Sequence, residues 1–491
     1  MAGILAFGAY VPRLRLQRAA VAGANRWFNP ALAAAGKGER AMANWDEDAI
    51  TMGVEAARDC LGELDRGRVA RIVLASTTAP FADRQNAVIA KEALNLSDEV
   101  GALDIGGSLR AGTSALIDAL QAAGGGAGDV LCVAAEKRKP QPGSLLELTH
   151  GDAAAALLVG ADDGVARLVC AHSVSMDFVD HFRAVGQAFD YEWESRWVRE
   201  EGFGKIAPEA VSAALKKAAV APEAVDHFVM PAPMRGVNAA VAKACRIRPE
   251  AVADSLDAAL GDAGAAQPLV ILAHVLERAQ PDQTLVVVGF GQGCDVLVLR
   301  TTAALREPRT GLGVSGWLAR RKPESNYVKY LFFAGHLALE RGMRAEFDQK
   351  VPLTALYRRR REVLGLVGGK CAKTGTVQFP KSDVSVAQND RTIGALEDYP
   401  LADRVARVLT HTADNLTYTP DPPNYYGMVE FDEGGRLTME FADLDPADVA
   451  VGAPMRMMFR IRAVDENRGF IKYFWKAVPD YRAAAQSARA A

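Results

Sequence analysis

A chain of 491 residues, 49% hydrophobic and 24% charged, has an ordinary globular composition but exceeds what one hydrophobic core usually organises, so two or more domains are expected. Its formal net charge of −3 excludes a general nucleic-acid binder, since no broad positive field is available to neutralise phosphates.

The first residues, Met1-Ala-Gly-Ile-Leu-Ala-Phe-Gly-Ala-Tyr10, carry no basic leader and no long apolar run, so no signal peptide is expected there. From 1 to 303 short β-type runs alternate with alanine-rich helical stretches. Residues 71–76, 130–135 and 284–289 read as buried strands, and 48–61 and 113–123 as amphipathic helices, a pattern that predicts a layered α/β fold. Gly151-Asp-Ala-Ala-Ala155 and Gly289-Phe-Gly-Gln-Gly293 are both glycine turns leading into an apolar strand, which hints at a duplication with halves of about 1–163 and 164–303. Residues 304–364 read as a charged, aromatic-bearing connector, partly helical. Within it, Arg358 to Arg361 is read as a solvated helix face in preference to a contact for a phosphorylated cofactor. From 365 to 480 several short alternating strands, with turns at 432–435 and 451–454, predict a small all-β barrel, and 481–491 is expected to be a frayed tail.

The six cysteines, Cys60, Cys132, Cys170, Cys245, Cys294 and Cys371, lie far apart with no pair at metal-ligand spacing, which excludes a disulfide framework and fits a reducing cytoplasm. No stretch reaches the roughly 20 apolar residues of a membrane span, so a soluble protein is expected.

In order along residues 3 to 300 stand Gly8-Ala-Tyr-Val-Pro12, Asp46-Glu-Asp-Ala-Ile-Thr-Met52, Asp104-Ile-Gly-Gly-Ser-Leu-Arg-Ala-Gly-Thr-Ser-Ala-Leu116, the 151–155 turn and the 289–293 turn. With this ordered set the chain resembles the hydroxymethylglutaryl-CoA synthase-like members of the thiolase superfamily. The resemblance implies a duplicated α-β-α-β-α layered fold, an acyl-CoA substrate and a homodimer paired sheet to sheet. Residues 365–479, above all Lys370-Cys-Ala-Lys-Thr-Gly-Thr-Val-Gln-Phe-Pro380, resemble the acyl-CoA-associated OB-fold domain that often accompanies such proteins. That domain's zinc ribbon needs four cysteines. Here Cys371 stands alone with Thr374 in the second position, so no zinc is expected.

The departures bear on the chemistry. The family's nucleophilic cysteine sits at a helix N-terminus, where the helix dipole favours a thiolate. Its position is filled by Leu109, which cannot form a thioester, and the neighbouring Ser108 would need a base and another direction. Pro231 replaces the catalytic histidine, Asp262 the asparagine of the Gly-Asn motif, and Thr77 the acidic residue at a first-half strand end. Four replacements together argue against the synthase reaction itself.

Aldol or retro-aldol chemistry needs no nucleophile, only a base for a β-hydroxyl and donors for an enolate. Backbone N–H groups near Leu109, or in the turn holding Gly291 and Gly293, are candidate donors. Asp262 is a candidate base, with capping a helix or bonding a glycine turn as the equally weighted plainer role. His150 is a candidate with a structural role favoured, and Tyr191 a candidate donor with a core role favoured. Cys294 is the best residual nucleophile, although a buried, inert strand cysteine is the commoner outcome. Three functions follow: an acyl-CoA lyase or transferase without an acyl-cysteine, an acyltransferase using Cys294, and a non-catalytic acyl-CoA-binding subunit.

Overall fold

The apolar runs that read as buried strands become the centre of a nine-stranded mixed sheet. The computed structural model describes residues 2–346, 348–388 and 390–481, so the expected frayed tail, from 482 onward, lies outside the described residues. In chain order the strands are β1 (Gly3–Tyr10), β2 (Val69–Ala75), β3 (Gly101–Ile105), β4 (Asp129–Glu136), β5 (Ala153–Gly160), β6 (Ala166–Ser175), β7 (His227–Val229), β8 (Thr284–Phe290) and β9 (Gly293–Thr301). Their order across the sheet is β7-β8-β9-β6-β1-β5-β4-β2-β3.

This order contains the duplication that the two glycine turns hint at. In the first half β1 pairs antiparallel with the last strand β5, which pairs antiparallel with β4, which pairs parallel with β2. In the second half β6 pairs antiparallel with the last strand β9, then β8 antiparallel, then β7 parallel. Within the sheet the halves meet where β1 pairs with β6, Gly3 opposite Arg167 and Ile4 opposite Ala166.

Two helices fill the space between the half-sheets. Helix α1 (Ala49–Leu61), capped by Asp48, packs on β1, β4 and β5 and forms an outer layer. Helix α2 (Ala111–Gly124) touches β4 and β5 of the first half and β8 and β9 of the second. Helix α3 (Gln267–Leu276) likewise touches β1 and β5, then β7 and β8, and all ten of its residues are buried. A helix apolar on every side belongs in an interior layer. The helix Ala207–Ala218 covers β6 and β9 on the far side, completing an α-β-α-β-α stack.

The chain forms two compact units. The first comprises residues 1–44, 48–88 and 97–337, and the second 45–47, 89–96 and 338–491. The stretch 304–364 is therefore divided between them. Its aromatic residues explain why its first part is no linker: Trp317, Tyr330 and Phe333 are core residues of the first unit, with the Trp317 ring 4.6 Å from that of Tyr10.

In the second unit β10 (Val367–Cys371), β11 (Val377–Gln378) and β12 (Leu396–Pro400) form a three-stranded sheet. Then β13 (Ala406–Asp414), β14 (Asn424–Phe431), β15 (Arg436–Glu440), β16 (Pro454–Asp465) and β17 (Phe470–Pro479) form a five-stranded sheet in the order β15-β14-β13-β16-β17. A bridge between Phe441 and Ala477 brings its two edges together, so the sheet curls as a small barrel does. Phe431, Phe459 and Trp475 fill its interior, and the Trp475 indole donates to the Leu364 carbonyl at 2.7 Å.

In the middle layer α2 packs closely on the turn Gly264–Ala266. A Cβ on Gly112 would lie 2.2 Å from the carbonyl oxygen of Ala265, so only glycine fits without backbone movement. Gly112→Ala is expected to destabilise the first unit by about 1–3 kcal/mol, read as a lowered midpoint in urea unfolding.

Candidate active site

The head of α2 is built by three residues that precede its first turn. Ser108 donates its hydroxyl to the Gly291 carbonyl at 2.8 Å, tying the 289–293 turn to this point. A Cβ on Gly291 would stand 2.7 Å from Ser108 Oγ and 3.0 Å from the Leu109 nitrogen, so the turn lies directly on the helix start. Arg110 pairs with buried Asp295 at 2.9 Å and also donates to Ser175. Asp295 further accepts from Thr113 at 3.2 Å and Ser114 at 2.5 Å. Ser108 thus has its proton committed to a carbonyl, and half-buried Leu109 presents hydrocarbon where the family carries sulfur.

A second group of polar residues gathers at the C-terminal end of β4, where the strand runs from apolar residues into Glu136-Lys-Arg-Lys139. Glu136 is wholly buried. It accepts from the Thr77 N–H at 2.7 Å, the Thr77 hydroxyl at 2.9 Å and the Thr78 hydroxyl at 2.6 Å. Burial pushes its pKa up, against the lowering effect of Arg138 and these donors. Thr77 stands where the family has an acid, yet a carboxyl still reaches this spot, supplied by the neighbouring strand.

Arg138 is only 6% exposed. Its main chain is held by Asp152, which accepts from the Arg138 N–H at 2.9 Å and the Ala43 N–H at 2.8 Å. Its guanidinium lies 3.5 Å from Asp190 and 3.7 Å from Asp262, and one nitrogen is 3.2 Å from His150 Nε2. Burial opposes its charge, but the carboxylates of Asp262, Asp190, Glu136 and Glu192 more than offset this and hold its pKa above the usual value. Gly264 makes room for it, since a Cβ there would lie 2.5 Å from Arg138 Nη1.

The main chain brings His150 and Asp262 side by side. Asp262 N–H donates to Thr149 O at 2.8 Å and Gly151 N–H to Asp262 O at 2.9 Å, forming a bridge between the two segments. Asp262 Oδ1 accepts from the Gly264 N–H at 3.0 Å. His150 is buried, and its pKa is pushed well below the ordinary value by burial, then by Arg138, Arg40 and His181. Since the turn after Asp262 abuts Gly112 in the first turn of α2, this group adjoins the helix head.

Two candidates lie elsewhere. Tyr191 is neither core nor part of the buried cluster: it is 55% exposed on a two-residue strand, with its ring 5.3 Å from Phe182. Cys294 is fully buried in an apolar cluster with Phe203, Phe228, Val286 and Val296, and burial pushes its thiol pKa up, which Asp295 reinforces. Pro231 follows β7 and is half-buried. Sequence reasoning missed Arg138, Glu136, Asp190 and Glu192. The first two carried a signal, a charged run at the C-terminal end of a buried strand, where open α/β sheets place their sites. Asp190 and Glu192 carried none.

Comparison with known proteins agrees with this architecture. Residues 215–299 match the 3-oxoacyl-[acyl-carrier-protein] synthase III C-terminal family and residues 401–460 the ChsH2 C-terminal OB-fold domain. Hydroxymethylglutaryl-CoA synthase of Aeropyrum pernix is 27% identical over 347 residues, covering 69% of this chain and 96% of that protein. The Pyrococcus furiosus synthase is 28% identical, covering 59% and 83%. A solved hydroxymethylglutaryl-CoA synthase complexed with CoA superimposes with a TM-score of 0.60 at 17% identity, covering 71% of this chain and 94% of that one. The 3-oxoacyl-(acyl carrier protein) synthase III of Pseudomonas aeruginosa PAO1 gives 0.56 at 22%, covering 61% and 98%.

The first unit therefore has a thiolase-like fold. More particularly, the chain joins a domain resembling the hydroxymethylglutaryl-CoA synthases to a ChsH2-type OB-fold domain. Among the described residues no helix is long and apolar enough to cross a membrane.

His150 gives a pH signature. The imidazole is held neutral in the fold, but in the unfolded chain it takes up a proton below about pH 6.5. The unfolded state then binds more protons, so the stability tied to neutral His150 is present above that pH and lost as pH falls below it. His150→Gln should flatten the fall in unfolding free energy between pH 6.5 and 5 by up to about 1.4 kcal/mol per pH unit, measured by urea titration at each pH.

Proposed function

We propose that this chain is an acyl-CoA enzyme that makes or breaks a carbon–carbon bond without an acyl-cysteine, by aldol or retro-aldol chemistry on a β-hydroxyacyl-CoA. One observation carries the reading: a leucine heads α2, while the carboxyl of Asp262 replaces the family's asparagine beside it. In the cleavage direction Asp262 takes the β-hydroxyl proton, and the C–C electron pair moves to Cα as the carbonyl product leaves. The resulting enolate oxygen is held by N–H donors near Leu109 and the Gly291–Gly293 turn, and protonation at Cα releases the shorter acyl-CoA. The alternative through Cys294 is disfavoured by the burial of that thiol, which opposes thiolate formation.

Six free, buried cysteines fit a reducing cytoplasm. A second copy of the chain is the proposed partner of β3, which ends the sheet with Leu103 41% exposed and one backbone edge open for pairing.

Purified protein is expected to release a shorter acyl-CoA and a carbonyl compound from one member of a β-hydroxyacyl-CoA panel, with no acyl adduct by intact-mass spectrometry. Asp262→Asn should slow this about 10²–10⁴-fold, whereas Cys294→Ala should not. A trapped thioester would restore the covalent mechanism, and CoA-ester binding without turnover of any panel member would favour the non-catalytic subunit. Sedimentation should give twice the chain mass of 52.4 kDa, with Leu103→Pro shifting it to one.

A further inference from the structure

Within the buried cluster one proton can be placed by chemistry alone. The Arg138 nitrogen Nη2 lies 3.2 Å from His150 Nε2, and a guanidinium only donates. His150 Nε2 is therefore the acceptor, with its lone pair turned towards Arg138, and the ring proton of the neutral imidazole belongs to Nδ1. His150 Nδ1 is buried and has no hydrogen-bond partner among the described residues. A buried N–H without an acceptor is costly, and folds satisfy nearly all of them.

The charged groups around the ring do not change this assignment. Arg138 and Arg40 both face His150, the latter donating to its carbonyl oxygen at 2.5 Å, and His181 adds a third basic group. Asp262 bears on the same guanidinium from another side, through Nη1 at 3.7 Å. Arg138 is itself fixed by the room at Gly264 and by the Asp152 bond to its main chain, so the ring has a rigid partner.

We propose that His150 is a further catalytic residue, whose Nδ1–H donates to the thioester carbonyl oxygen of a bound acyl-CoA, and that Arg138 is the positioning residue that decides which ring nitrogen carries that proton. This rests on the acyl-CoA reading above. A neutral imidazole donor strengthens its hydrogen bond as the thioester oxygen gains charge, and it does not surrender its proton, so no separate step is needed to restore it. His150 and Asp262, adjacent through the backbone bridge, then divide the work: one stabilises the oxygen, the other handles the β-hydroxyl proton.

The test uses the full chain labelled with 15N-histidine, with His150→Gln identifying the His150 signals among the seven histidines. The expected spectrum has Nδ1 protonated and Nε2 bare from pH 8 to 5.5. Acetyl-CoA should shift the Nδ1 resonance, and Arg138→Met should release the ring to mixed tautomers or an ordinary titration. An Nε2–H tautomer in the free protein overturns the proposal. So does binding of acetyl-CoA by calorimetry with the His150 signals unmoved. No binding of acetyl-CoA would instead remove the acyl-CoA reading beneath it. In the cleavage assay His150→Gln should lose about 10²–10³-fold. His150→Asn, whose amide nitrogen can take the place of Nδ1, should recover most of that loss. Equal losses in the two variants would also overturn the proposal.

Discussion

A buried positive charge at the end of β4 organises the candidate site. A guanidinium keeps its charge even when buried, so Arg138 destabilises the fold unless carboxylates surround it and its position is fixed. Asp190, Asp262, Glu136 and Glu192 meet the first need, arriving from three segments of the first unit, with Asp190 and Glu192 on one of them. The second is met by Asp152 at its main chain and by the missing side chain at Gly264. The orientation of the imidazole and the carboxyl of the Gly-Asp pair both follow from this guanidinium.

The first unit holds its polar groups in two places. The head of α2 has a hydrocarbon side chain, a serine bonded to a glycine turn, and an arginine locked to Asp295. These contacts hold the helix in place without presenting a nucleophile. The ionisable groups lie in the strand-end loops instead, including the acid that Thr77 does not provide and Glu136 does. Arg110 and Asp295 thus tie down the helix head, while Arg138 gathers Asp190 and Asp262 into a separate buried group.

Much of the fold was legible because burial writes itself into composition. The runs 130–135 and 284–289 could only be interior strands, and Asp48 ahead of an alternating apolar stretch marks the start of α1. The aromatic residues of 304–364 misled, since Trp317 and Tyr330 look the same in a linker as in a core they reach from far along the chain. Of the site, the sequence singles out Leu109 and Asp262, which the structure leaves at the helix head and in the buried cluster. The site was not legible where chemistry comes from assembly. Asp190 belongs to a polar stretch with no periodicity, and only folding brings it to Arg138. Tyr191, one residue on, turns the other way into solvent.

The duplicated topology has an evolutionary corollary. The two half-sheets share a strand plan, yet Glu136, Arg138 and His150 all belong to the first copy, while the second copy's interior is an apolar cluster that includes Cys294. The candidate site nevertheless draws on both repeats, since Asp190, Glu192 and Asp262 reach Arg138 from the second. Mutational tolerance should follow position and not repeat, with changes in the apolar cluster around Cys294 felt as lost rigidity and changes at the β4 end or at Asp262 felt as altered chemistry.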